Sequence, residues 1–232
     1  EPMQRTLRLG VQAVWRAFLR ARFHLSGRRR YKRLVLERVS GKPFLILPSV
    51  FNPNLFWSGE FFANNLRAEM FPGHCRVLDL GTGSGVGAVT AAAWTAHVVA
   101  VDCNPAAIRC ARINSILNQV EDRIDFRLGD LFAPVDGERF DRILFNPPYF
   151  QKNPVDPLDA AMNSPDIAER FARGLDAHLA PDGYALVVLS SAGEETSFLG
   201  NLEAEGFRCM VISERDFFSE VLHLYKVARA ED

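Results

Sequence analysis

The sequence has little of what would announce a redox, metal or membrane chemistry. Its four cysteines, Cys75, Cys103, Cys110 and Cys209, form no Cys-x-x-Cys pair and no zinc spacing, so the expectation is buried free thiols in a reducing cytoplasm. The five histidines, His24, His74, His97, His178 and His223, are scattered without ligand spacing, which argues against a metal site and against a histidine-based nucleophilic triad. No apolar run approaches the roughly 18 residues that span a bilayer. Arginines interrupt the first apolar residues, so no secretory signal is legible either. Internal repeats and low-complexity linkers are absent. What remains, 232 residues with 48% hydrophobic content, suffices for one compact domain with an appendage.

The near-zero net charge conceals an asymmetry. Residues 1 to 42 hold 12 Lys/Arg against 2 acidic residues, whereas residues 43 to 232 hold 15 against 26. This divides the chain into a basic N-terminal extension, residues 1–42, and a main domain, residues 43–232. In the extension Leu7, Val11, Val14, Trp15, Phe18 and Leu19 recur at helical spacing with arginines elsewhere around the wheel, predicting a basic amphipathic helix over residues 3–24. The cluster Arg28-Arg29-Arg30-Tyr31-Lys32-Arg33 follows. Such a segment suits RNA phosphates or a ribosomal surface, suits an anionic membrane, or packs its apolar stripe on the acidic main domain. Alternating residues 31–48 around Ser40-Gly41-Lys42-Pro43 predict a hairpin leading into that domain.

The main domain is organised around residues 77–149. Val77-Leu78-Asp79-Leu80 has strand character, Gly81, Gly83 and Gly85 make a sharp turn, and an Ala/Val-rich helix follows, a combination that lets backbone approach a ligand closely. The dinucleotide fingerprint is missing, since the sixth position from Gly81 is Val86, and the Gly-Lys-Ser/Thr phosphate loop is missing too. A second strand, 97–101, ends at Asp102; a third, 124–128, at Gly129-Asp130; a fourth, 140–145, at Asn146-Pro147-Pro148-Tyr149. Further strands are predicted at 184–189, 207–212 and 221–227, and helices at 61–70, 86–94, 105–117, 166–179 and 194–205. Strands alternating with helices at this interval predict an α/β fold, a Rossmann-like, seven-stranded, mostly parallel sheet preceded by the basic helix and β-hairpin. Its ligand belongs at the carboxyl ends of the strands.

Asp79-Leu80-Gly81-Thr82-Gly83-Ser84-Gly85, Asp102 with Asn104-Pro105, Gly129-Asp130-Leu131 and Asn146-Pro147-Pro148-Tyr149, in that order, resemble the successive motifs of class I S-adenosylmethionine-dependent methyltransferases. The final tetrapeptide resembles the branch that methylates planar nitrogen, either a protein glutamine amide or the exocyclic amine of adenine. The resemblance covers residues 43 to 228. It implies S-adenosylmethionine as cofactor, held by Asp79, Gly81, Gly83, Gly85, Asp102, Cys103, Asp130, Leu131 and Asn146. Asp79 would orient the glycine loop or meet the methionine amino group, Asp102 the ribose hydroxyls, and Asp130 with Leu131 the adenine. The aromatic stretch 50–60 stands where relatives close over cofactor and substrate, making Phe51, Trp57, Glu60 and Pro148 substrate-side candidates. There Ser58-Gly59-Glu60 departs from the family's usual Thr-Glu pair.

The chemistry gives these residues work to do. An amide or aryl amine nitrogen is a poor nucleophile because its lone pair is delocalised. The Asn146 oxygen and the Pro147 carbonyl can accept both N–H bonds of a planar NH2 group, while Tyr149 offers a flat face to stack on, so Asn146, Pro147 and Tyr149 are the catalytic candidates. Methyl transfer to protein or tRNA is the expected function. The alternative is an enzyme that consumes S-adenosylmethionine without methylating, by cyclisation or lysis releasing methylthioadenosine, under aromatic closure from Phe51, Phe56 and Trp57. A third possibility is a non-catalytic scaffold, which the intact Asn146-Pro147-Pro148-Tyr149 turn argues against.

Overall fold

The computed structural model describes residues 33–54, 57–148, 164, 166–217 and 220–230. The predicted helix over residues 3–24, together with Phe56 and Tyr149, lies outside the described residues.

The first two strands, β1 (Val35–Val39) and β2 (Lys42–Ile46), form the predicted antiparallel hairpin. Its two-residue turn has positive φ at both Ser40 (52°) and Gly41 (79°), the twist that matches a right-handed strand pair. The hairpin runs through residue 42 and packs against the helix at residues 105–117, where Asn114 Oδ1 accepts from Leu45 N at 2.6 Å.

Seven strands make the main sheet: β3 (Arg76–Leu80), β4 (His97–Asp102), β5 (Ile124–Leu128), β6 (Phe140–Phe145), β7 (Leu179–Ser190), β8 (Phe207–Asp216) and β9 (Val221–Arg229). Their spatial order is β5-β4-β3-β6-β7-β9-β8, parallel except for β9, which runs antiparallel to both neighbours. The chain steps outward from β3 to β5, then returns to place β6 on the other side of β3. That reversal opens a crevice at the carboxyl ends of β3 and β6.

Both faces of the sheet are covered, which is why its central strands read as continuous apolar runs. On one face Val77, Val98, Ala100 and Leu144 pack under α1 (Ser58–Asn65), α2 (Val86–Ala91) and α3 (Pro105–Leu117). On the other, Leu78, Leu80, Ile143 and Phe145 meet α4 (Ile167–His178) and α5 (Glu195–Ala204). The alternation along β3 puts Asp79 on the face that carries α2.

Several boundaries differ from the predicted ones for local reasons. The helix expected over 61–70 starts at Ser58 and stops at Asn65, because Leu66 turns extended, and a separate short turn covers Ala68–Met70. The helix after the glycine turn ends at Ala91, where Ala93 N and Trp94 N bond back only three residues. Strand β7 begins at Leu179 instead of 184, with the Pro181-Asp182-Gly183 turn absorbed as a bulge opposite Phe140 and Arg142. Arg229 donates to the carbonyls of Leu179, Ala180 and Pro181, and a Cβ on Gly183 would stand 2.8 Å from Phe140 O.

Candidate active site

The glycine turn is built by hydrogen bonds that its sequence alone does not display. Thr82 N donates to Val101 O at 2.9 Å, Gly85 N to Thr82 O at 2.7 Å, and Gly83 N to Asp102 Oδ2 at 2.8 Å. Gly81, Gly83 and Gly85 have φ of 61°, 56° and 88°, a region that L side chains occupy at a cost. From α3, buried Asn114 donates through Nδ2 to Ser84 O at 2.8 Å while also holding the hairpin. Asn114 was not singled out from the sequence; an asparagine within a helix's apolar stripe was the available signal.

Two carboxylates tie the loops together. Asp102 takes Gly83 N on one oxygen and Asn104 N on the other, both at 2.8 Å, so it links the turn after β3 to the start of α3. Burial raises its pKa, against the two backbone donors. Asp79 is 4% exposed, and its Oδ2 accepts from Thr82 Oγ1 at 2.6 Å and from Ala88 N at 2.8 Å. Burial pushes Asp79 up to about 7 despite those donors. Of the two roles anticipated for Asp79, these bonds make orienting the glycine loop the visible one, with the carboxylate also meeting an otherwise unpaired N–H in the first turn of α2. Gly87 makes room for it, since a Cβ there would lie 2.5 Å from Asp79 Oδ1.

These loops wall a cavity of about 240 Å³ in the crevice at the carboxyl ends of the strands. Asp79, Gly81 and Gly83 line it from the first turn, Asp102 and Cys103 from the second, and Asp130 and Leu131 from the third. Asn146, Pro147 and Pro148 line it from the loop after β6, and Phe51 from the segment ahead of α1. Gly85 stands behind the turn instead, packed on α3 with its missing Cβ 3.0 Å from Ala111. Glu60 and Trp57 do not line the cavity. Trp57 remains 51% exposed and stacks on Phe217 at 5.2 Å, drawn there by an aromatic face at the β8–β9 end that only the fold brings near.

Further residues complete the site. Ser58, 1% exposed at the start of α1, accepts from Asn146 Nδ2 at 3.3 Å. Gly59 lets that helix start close over Pro53, since a Cβ there would be 2.4 Å from Pro53 Cβ. Arg170 on α4 pairs with Asp130 Oδ2 and approaches Asp166 at 3.7 Å. The cysteines divide: Cys75 and Cys110 are buried and make no disulfide, but Cys103 is exposed because it sits in the strand-end loop at the cavity, contrary to the expectation of four buried thiols.

This arrangement matches a known family. The model of the methyltransferase small domain matches residues 43–218, and the chain belongs to that family of S-adenosylmethionine-dependent methyltransferases. Release factor glutamine methyltransferase of Cereibacter sphaeroides is 31% identical over 215 residues, which cover 81% of this chain and 76% of that protein. A tRNA1(Val) (adenine(37)-N6)-methyltransferase of Porphyromonas gingivalis is 33% identical over 50% of this chain and 43% of its own length. Among solved structures, the ribosomal protein L11 methylase of Lactobacillus delbrueckii subsp. bulgaricus aligns over 80% of this chain and 84% of its own, with a TM-score of 0.58 and 22% identity. That last likeness concerns the fold. None of these relatives is named for a non-methylating reaction, and of the aromatic residues on which that alternative leaned Phe51 lines the cavity while Trp57 faces Phe217 instead. Among the described residues no helix is long and apolar enough to cross a membrane.

Proposed function

We propose that the chain methylates a planar nitrogen, with the side-chain amide of a protein glutamine as acceptor. The observation that carries this is the Asn146–Ser58 hydrogen bond at the edge of the cavity. By engaging the donor end of the Asn146 amide, Ser58 would direct the carbonyl end toward an incoming NH2 group, with the Pro147 carbonyl as second acceptor. Hydrogen bonds that draw both N–H groups out of the amide plane strengthen as charge develops on nitrogen, which lowers the barrier. Tyr149, next in the chain, would supply the stacking face, with Phe51 and Pro148 bordering the acceptor.

The cavity fits S-adenosylmethionine by its chemistry. Three carboxylates, Asp79, Asp102 and Asp130, stand among its lining residues, suiting a ligand that carries a sulfonium, an ammonium, a ribose diol and an aryl amine. Asp102 would accept from the ribose hydroxyls with its remaining lone pairs. Asp130 would accept from the adenine amine, with Leu131 and Cys103 along the base. Gly81 and Gly83 would give the amino-acid end close access to backbone. When bound, the cofactor supplies an electrophilic methyl carbon; the chain's own task is alignment at about 3 to 3.5 Å, exclusion of water and support for the nitrogen.

Protein glutamine is favoured over adenine on two grounds. The glutamine methyltransferase relative spans four-fifths of this chain, the adenine methyltransferase relative half. On the far side of the Pro147-Pro148 turn, a small recess includes Ser190 and Glu194, and the Ser190 hydroxyl donates to Glu220. Carboxylates there disfavour a phosphate backbone and suit a polypeptide. Placement in the cytoplasm is part of the same proposal, supported by the absence of disulfides among the four cysteines. Incubation with methyl-labelled cofactor and either release factor or tRNA tests it: label on glutamine is the expected product, and label on adenine would replace the acceptor.

A further inference from the structure

Of the ten large apolar side chains exposed among the described residues, five belong to the hairpin and its lead-in or to α3, which packs beside it. Leu36 is 64% exposed and pairs across the hairpin with Leu45, on the face opposite buried Phe44 and Ile46; Leu34, 58% exposed, precedes it on that face. β2 abuts α3 through Asn114 and Asn118, which bond to Leu45 and Pro43. Ile113 and Leu117 each precede one of those asparagines, which turns them about 100° around the helix, to the edge of the buried face that carries Ala107, Cys110 and Ala111. With Ile116, 60% exposed, they form an exposed apolar strip along α3, the helix that packs beside the hairpin.

Exposed arginines accompany these residues: Arg33 just ahead of β1, Arg38 on it, and Arg109 and Arg112 on α3, Arg112 also lying over Phe126. A second copy of the strip, or the chain's own arginine-rich residues 3–24, would set cation against cation there. The fitting occupant is apolar within and anionic at its rim. The sequence that feeds into Leu34 repeats the same pairing, an apolar stripe with arginines around it and then Arg28-Arg29-Arg30-Tyr31-Lys32-Arg33. We propose that this strip is a docking surface for an anionic lipid bilayer, on which the enzyme rests peripherally with its leucines and isoleucines in the headgroup boundary and its arginines on the lipid phosphates. Attraction of this kind combines buried apolar area with charge, and it weakens with salt.

The experiment is sedimentation of the full chain with vesicles of phosphatidylcholine alone and of phosphatidylcholine mixed with phosphatidylglycerol, at low and high salt. Binding confined to the anionic vesicles and reduced by salt is expected. The double variant Leu36→Asp/Ile116→Asp, and separately Arg109→Glu, should lower the partition coefficient, the double variant by about tenfold or more. Unchanged thermal melting and S-adenosylhomocysteine binding identify variants that remain folded. No binding to anionic vesicles, as an acidic protein partner in place of lipid would give, overturns the proposal. So does binding that the folded double variant retains in full, or equal binding to both kinds of vesicle.

Discussion

Asn146 and Ser58, 88 residues apart in the chain, meet side chain to side chain at 3.3 Å, joining the loop after β6 to the first residue of α1. The amide on which the proposed chemistry depends is thus engaged by a serine outside the Asn-Pro-Pro-Tyr motif. Ser58→Ala should lower kcat by about fivefold to tenfold, the worth of one modest hydrogen bond. The KM for cofactor should be unchanged. Asn146→Ala should cost about a hundredfold or more in kcat. Steady-state kinetics with glutamine substrate, beside calorimetric binding of S-adenosylhomocysteine, separates orientation from cofactor affinity. A matching loss of cofactor affinity in Ser58→Ala would count against the positioning role.

Asp102 is bonded to Gly83 N and Asn104 N, so replacing it removes both a proposed ribose ligand and a fastener of the glycine turn. Asp102→Ala should weaken S-adenosylhomocysteine binding by about a hundredfold, combining a charge-assisted pair with a loosened loop. Asp102→Asn keeps one acceptor oxygen and should lose less. Calorimetry on both variants checks the ranking.

Gly87 leaves the Asp79 carboxyl its room. A Cβ at residue 87 would meet Asp79 Oδ1 at 2.5 Å and the Asp79 carboxyl carbon at 2.9 Å. Gly87→Ala should therefore destabilise the protein by about 1 to 3 kcal/mol, as overpacking does, despite alanine's better helix propensity. Denaturant unfolding gives the value directly.

Asp79 also makes stability depend on pH. Burial raises its folded-state pKa from 3.8 to about 7, so the folded protein holds a proton there that the unfolded chain has released. Its contribution is fully present below the unfolded value and falls as pH rises through the folded one, across a window from about 4 to 7. Asp79→Asn keeps an acceptor for Thr82 and Ala88 without the titrating charge, and should remove that slope from the pH dependence of unfolding free energy. A slope in the variant equal to the wild type's would show that other groups produce it.

Much of the fold was legible because the signals were local. Three glycines in five residues after an apolar strand mark a turn that only glycine enters cheaply, and Asn104-Pro105 marked the start of α3, where Asn104 Oδ1 does accept from Ala106 N. Less legible was anything fixed by a distant partner. Trp57 reads as an active-site aromatic until Phe217, far along the chain, supplies a surface to stack on. The turn at Pro181-Asp182-Gly183 reads as the end of an element until Arg229 gathers the carbonyls of Ala180 and Pro181 beside the bulge.

The sequence by itself determined the order of strands and helices, the three strand ends with their carboxylates and the Asn-Pro-Pro turn at a fourth, because backbone preference and apolar periodicity act over a few residues. Only the tertiary structure decided which atoms those groups serve. It turned Asp79 inward to Thr82 and Ala88, put Gly85 behind the turn, and brought Ser58 against Asn146. Such choices belong to the crossing of the chain at the β3–β6 reversal, where residues far apart in sequence compete for the same hydrogen bonds and the same space.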